Sequence, residues 1–239
     1  MERGLKMSDT AYRKYTKYSV IYNILNKREI VICGYDRWDD KNDVNILDFY
    51  KRQKNLKSLF IYCLANDQET YHHWNTFSRT KINDKNDKLE EGVCIKFDSI
   101  NLDELFKNYD FRRRTCRYCD RDRIDTYKKI NLGDLPIFKR FSFKGEKEIR
   151  FIYENKNISK EKFTISNINI SSLIDKIIFN PWIDDDCFDK KKKELIKCFS
   201  SLNRENENWG DIITKSELLN DDVWQKKLIK KNLFTNSMF

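Results

Sequence analysis

The sequence predicts an α+β fold, a single domain with a mixed, mainly antiparallel central sheet flanked by helices. Three observations lead there. Short β-branched or alternating runs read as strands, and apolar residues at helical spacing mark helices between them. The two kinds intermix without the regular alternation of a doubly wound sheet. Thr16–Asn26 carries Val20, Ile21, Ile24 and Leu25 on one helical face, and Glu29–Tyr35 is a β-branched strand. A turn rich in aspartate follows, then a helix with Val44, Leu47 and Tyr50 on one face. Ser58–Ala65 is a buried strand, after which Asn66-Asp67 offers an N-cap and Glu69 a favourable first-turn charge. Tyr71, Trp74 and Ser78 share a face of that helix, and Lys81–Glu91 is a polar loop.

Gly92–Asp98 alternates as a half-buried strand, and Asn101–Tyr109 is helical. Phe111–Asp125, dense in arginine and cysteine, reads as a loop or insertion. Lys147–Glu154 is a strand with Ile149, Phe151 and Tyr153 on one side and Glu148, Arg150 and Ile152 on the other. Phe163–Ile165 and Lys176–Phe179 add short strands. Asp184–Asp186 caps a helix bearing Phe188, Leu195, Ile196, Phe199 and Leu202. The domain is expected over residues 12–205. Residues 206–239, with Trp224 as an anchor, form a helical or irregular C-terminal extension. The strands Ser58–Ala65, Gly92–Asp98 and Lys147–Glu154 are expected to share one sheet.

The chain has 239 residues, 39% hydrophobic, 36% charged and 14% aromatic, and the aromatic content argues against disorder. The apolar runs are too short to span a bilayer and the opening residues show no signal region, so an intracellular, cytoplasmic protein with no membrane association is expected. The net charge of +9 is concentrated in Arg112–Arg123, Lys190–Lys193 and Lys226–Lys231. Six glycines form neither common phosphate-binding loop. Seven cysteines, an odd number, read as reduced thiols. Cys116-Arg-Tyr-Cys119 lacks the second pair that zinc needs, and Asp36, Asp39, Asp40 and Asp43 lack glycine-shaped loop geometry, so no metal site is expected.

Three segments carry a family resemblance. They are Tyr71-His-His-Trp74 with Gly92-Val-Cys-Ile-Lys-Phe-Asp98, Lys139-Arg140 with Glu146-Lys-Glu148-Ile-Arg150, and Ile177-Ile-Phe-Asn-Pro181-Trp. In this order they resemble the prokaryotic domain of unknown function 2971 family, over roughly residues 12 to 200. Lys14-Tyr15-Thr16 and Asn42-Asp43 fit its N-terminal pattern, with Val44 where that pattern usually has proline. The opening is also similar to that of ADP-ribosyltransferase folds, with Lys14 near where that fold usually places a histidine. The resemblance implies an NAD-splitting or ADP-ribosyl-transferring enzyme, acting on a protein or nucleic-acid acceptor in defence or toxicity.

On that reading Glu148 is the preferred catalytic carboxylate, stabilising positive charge on the ribose as the nicotinamide bond breaks, and Glu146 orients an acceptor. NAD would be held by Tyr15, Thr16, Arg150, Tyr35 and Trp74, the aromatics stacking and the arginine taking phosphate. The residues alone also allow a solvated Glu-x-Glu-x-Arg ladder and a core Trp74. His72 and His73 point about 100° apart on a helix and support no nucleophilic site. A second reading is a nucleic-acid-binding module using Arg112, Arg113, Arg114 and Arg117, and a third is a non-catalytic partner-binding subunit.

Overall fold

The computed structural model describes residues 12–78, 91–126, 130–200, 209–220 and 225–226. The expected Trp224 anchor, most of the polar loop at 81–91 and most of the basic run at 226–231 lie outside them. The chain opens with β1 (Tyr12–Lys17), α1 (Tyr18–Lys27), β2 (Ile30–Cys33), α2 (Lys41–Gln53) and β3 (Ser58–Ala65). Next come α3 (Tyr71–His73), which continues into a π-turn over Trp74–Ser78, then β4 (Gly92–Phe97) and α4 (Ser99–Lys107). β5 (Arg112–Thr115), β6 (Arg117–Cys119), β7 (Phe138–Arg140), β8 (Glu148–Asn155) and β9 (Lys162–Ile165) follow. The described chain then runs through α5 (Ile170–Leu173), β10 (Ile174–Phe179), α6 (Asp185–Ser200), α7 (Trp209–Ile212) and β11 (Ile213–Lys215).

Among the described residues seven strands form the central sheet in the order β11-β10-β4-β1-β3-β8-β5. Every pairing in it is antiparallel except β10 with β11. The predicted class and the shared sheet of β3, β4 and β8 are therefore present. β2 pairs with β9, and β6 runs parallel to β7, as separate two-stranded ribbons. No helix among the described residues is long and apolar enough to cross a membrane.

Strand alternation divides the core. One sheet face carries Tyr12, Tyr62, Val93, Ile95, Phe97, Phe151 and Phe179, packed with residues of α1, α4 and α6. Each such fully buried side chain contributes roughly 1.5–3 kcal/mol. The other face is split into two apolar clusters. Val44, Leu47 and Tyr50 of α2 pack with Leu59, Ile61 and Ile152, while Tyr15, Ala65, Trp74, Cys94 and Ile178 form the second. The polar residues of β8 lie on this same divided face.

Helix starts follow capping chemistry. Asp40 accepts from the Asn42 backbone N–H at 3.1 Å, Asp98 from Asn101 at 2.7 Å and Asp184 from Cys187 at 2.8 Å. The cap expected at Asn66-Asp67 is instead Thr70, whose Oγ1 accepts from the His73 backbone N–H at 3.2 Å. The Asp67 carboxylate is already engaged, with the Gln68 N–H at 2.7 Å and the Lys147 ammonium at 2.6 Å. Glu69 accepts from Trp74 Nε1 at 2.6 Å rather than serving a first helical turn.

Three further expectations change. The arginine segment is not a loop: Arg112–Thr115 is an edge strand paired to β8. A strand bonded on one side only tolerates a charged sequence, so the lack of apolar residues misleads. Cys116 and Cys119, in the segment expected as a loop or insertion, are buried. The extension expected over 206–239 contributes β11 to the central sheet, and Trp209 stacks on Phe199 at 4.1 Å.

Candidate functional site

Between the two apolar clusters of the divided face lies a cleft of about 360 Å³. Glu146, Glu148 and Lys139 lie along it with Asp43, and Tyr15, Trp38 and Phe143 supply aromatic wall. Arg13 and Lys14 of β1 line it too.

Beneath the cleft Arg150 is fully buried. Its guanidinium donates Nε to Glu148 Oε1 and Nη2 to Glu148 Oε2, both at 3.1 Å. Nη1 donates to Asp43 Oδ1 at 3.0 Å and to the Pro136 carbonyl at 2.8 Å, and Nη2 also meets Asp43 Oδ2. A guanidinium has five N–H donors, and these contacts occupy them all, four in two fork-to-fork pairs with Glu148 and Asp43 and the fifth on the Pro136 carbonyl. Trp38 covers the cation with its ring centroid 5.4 Å away. Arg150 is thus structural, and the phosphate role expected of it has no donor left.

Lys139, on β7, joins the network from the other side. Its Nζ lies 2.5 Å from Glu146 Oε2, 3.0 Å from Glu148 Oε2 and 3.9 Å from Asp43 Oδ2. Two cations therefore face three carboxylates. The imbalance is divided unequally. Burial alone would raise Glu148, but Arg150 and Lys139 outweigh it and hold the carboxyl at about 2. Burial also raises Glu146, and there Lys139 offsets it only in part, so its pKa stays above the ordinary value. Burial works against the Lys139 ammonium, yet Glu148 and Glu146 raise its pKa and keep it charged.

Surface exposure does not separate the two glutamates, at 4% for Glu146 and 6% for Glu148. Their partners do. Glu148 accepts from Arg150 twice, from Lys139, and from the Cys116 thiol at 3.6 Å. Among the described residues Glu146 Oε1 has no hydrogen-bond partner, its carboxylate meeting only Lys139 through Oε2.

The linkage predicts a pH dependence. Glu148 falls from 4.5 to about 2 on folding, so its contribution is complete above the unfolded value and disappears as pH drops through the folded one. That contribution is roughly 3 kcal/mol. Glu146 has the opposite sign: its raised pKa costs stability as pH climbs from 4.5 through the folded value. Urea midpoints measured from neutral pH to acid should fall steeply below pH 4.5, and in Glu148→Gln that acid fall should shrink. An unaltered acid limb in the variant would remove Glu148 from the account.

The other expected residues scatter. Tyr15 is on the cleft wall, but Thr16, one residue on, does not line it. Tyr35 is core, donating its hydroxyl to Asp48 at 2.8 Å. Trp74 is fully buried behind Tyr15, in edge contact at 5.0 Å. On β5, alternation sends Arg112 and Arg114 to one face and Arg113 to the other. Arg112 pairs with Glu154, Arg113 with Asp103, and Arg114 and Arg117 with Asp134. No continuous basic surface results from these four.

Lys139 and Asp43 were not anticipated. Asp43 carried a signal, because it lies on the helical face of Val44, Leu47 and Tyr50, where a carboxylate needs a buried partner. Among the described residues no group of three or more His, Cys, Asp or Glu could hold a metal ion. The thiols of Cys63 and Cys116 are raised by burial first and by Glu148 next, which leaves them protonated. Burial likewise raises Cys94, whereas Cys33 is exposed. Alkylation of native protein should reach Cys33 first and Cys94 and Cys116 at least ~100-fold more slowly, read by peptide mass spectrometry. Equal rates would mean that the cleft floor opens readily.

Compared with family models, with curated proteins and with solved structures, the chain gives no match in any of the three.

Proposed function

We propose that the cleft is the active site of an enzyme that splits the nicotinamide–ribose bond of NAD, or transfers its ADP-ribose, and that the chain is a member of the domain of unknown function 2971 family. The single observation that carries this reading is the carboxylate pair. Glu146 and Glu148 share Lys139 on the cleft wall, and their titrations are pushed apart. Such a division gives one permanent anion and one proton acceptor, the combination that glycosidic chemistry uses.

The residues fit the substrate in kind. At about 360 Å³ the cleft is at the lower end of ligand-site volumes, which run from roughly 300 to 1,000 Å³, so it would enclose the nicotinamide–ribose end. Tyr15, Trp38 and Phe143 offer faces for the ring, and Arg13 offers positive charge for phosphate. In the reaction the C1′–N bond breaks and its electron pair stays on nitrogen, so neutral nicotinamide leaves. A hydroxyl of water or of an acceptor forms the new bond to C1′ and passes its proton to Glu146. The excess negative charge of the floor stabilises the cationic ribose between these events.

The test is incubation of the purified protein with NAD, alone and with cell extracts, followed by mass spectrometry. Release of nicotinamide, with or without ADP-ribose added to an acceptor, is the expected result. Neither product across several extracts would refute the reading.

A further inference from the structure

We infer that His73 is the positioning residue of the cleft, tying the aromatic wall at Tyr15 to the backbone of Glu146. The inference rests on the reading of Glu146 as the proton acceptor.

His73 is fully buried on α3, within the Tyr71-His-His-Trp74 stretch. Its Nε2 lies 3.3 Å from the Glu146 carbonyl oxygen, and its Nδ1 lies 2.8 Å from Thr70 Oγ1. A carbonyl oxygen only accepts, so Nε2 must carry the proton and Nδ1 accepts from the Thr70 hydroxyl. Thr70 Oγ1 in turn accepts the His73 backbone N–H, which fixes the hydroxyl's direction. The ring has one tautomer that satisfies both neighbours.

The imidazole face is also held. Tyr15 stacks on it with centroids 4.9 Å apart and planes 21° from parallel, while Trp74 meets Tyr15 edge-on. Tyr15 lines the cleft, so a ring bound against it presses on the group that anchors Glu146. Glu146 needs such an anchor. It ends a short 3₁₀ turn (Phe141–Glu146), and Lys147 after it has a left-handed backbone with φ 42°. His73 reaches this junction from 73 residues away in the chain.

The surrounding charges agree with a neutral ring. Burial lowers the His73 pKa first, against the Glu146 carbonyl bond, which raises it. His72 and Arg13 also lower it, and Asp67 raises it.

His73→Phe keeps an aromatic ring for Tyr15 but removes the donor, whereas His73→Gln restores an N–H near Nε2. In isotope-labelled full-length protein, the imidazole nitrogen signals of the wild type should show the Nε2–H tautomer at neutral pH. The Glu146 carboxyl midpoint should move by about one pH unit in His73→Phe and return in His73→Gln. Nicotinamide release should fall about 10- to 100-fold in kcat for His73→Phe with little change in KM, and recover most of the way in His73→Gln. An Nδ1–H tautomer, an unmoved Glu146 midpoint, or equal behaviour of the two variants would overturn the inference. If the wild type releases no nicotinamide, the glycosidic reading fails, and the tautomer and the Glu146 midpoint still decide the role of His73.

Discussion

Replacing Arg150 by methionine is expected to destabilise the protein by about 3–5 kcal/mol. Methionine fills much of the same volume, so little of this loss is a cavity. It arises because Asp43 and Glu148 lose both forks of the guanidinium in a place where water cannot replace it. Lys139 remains, but one ammonium would then face three carboxylates. The measurement is the urea midpoint at neutral pH, where both ionised partners are most costly to leave unpaired. Adding Asp43→Asn and Glu148→Gln to Arg150→Met should recover part of the loss, because the two carboxylates left without their guanidinium are then removed with it and only the Lys139–Glu146 pair stays charged. A loss below about 1 kcal/mol would mean that the pairs behave as a solvated ladder on the strand. The same network explains why Arg150 is not a lysine: two carboxylates held in one plane need a fork with fixed geometry.

Much of the fold was legible because it rests on periodicity. β3, β4 and β8 announce themselves by apolar runs or alternation, and α2 by Val44, Leu47 and Tyr50. β5 did not, because an edge strand needs no apolar residue to pair, and Arg-Arg-Arg-Thr looks like a loop until β8 is beside it. The start of α3 was misplaced because Asp67, a good cap in isolation, is claimed by Lys147 from across the fold. The site divides along the same line. Glu146, Glu148 and Arg150 were visible as a spacing, and strand geometry brings the last two together. What spacing does not contain is occupancy. Whether Arg150 faces a ligand or a buried aspartate depends on Asp43, over a hundred residues earlier in the chain. Lys139 is equally silent in sequence, one lysine among many until β7 carries it between the two glutamates.

That difference in occupancy leads to the second large effect. On the glycosidic reading, Glu146→Gln should lower the rate of nicotinamide release by roughly 10²-fold or more, while the fold survives. Glutamine keeps the shape and its amide oxygen can still accept from the Lys139 ammonium, so the ion pair becomes a hydrogen bond from a cation to a neutral acceptor. What it cannot do is take a proton from the attacking hydroxyl. Removing this carboxylate also corrects the charge imbalance, leaving two cations against Asp43 and Glu148. Stability above pH 4.5 should therefore hold or rise, since burial makes the ionised form of Glu146 unfavourable there. Glu148→Gln should behave otherwise. It leaves Arg150 and Lys139 short of negative charge, so rate and stability should fall together. The readout is paired: initial rates with NAD, and the urea midpoint of each variant in the same buffer. A rate loss confined to Glu148→Gln, with Glu146→Gln near wild type, would restore Glu148 as the reacting carboxylate and leave Glu146 as an acceptor-orienting group.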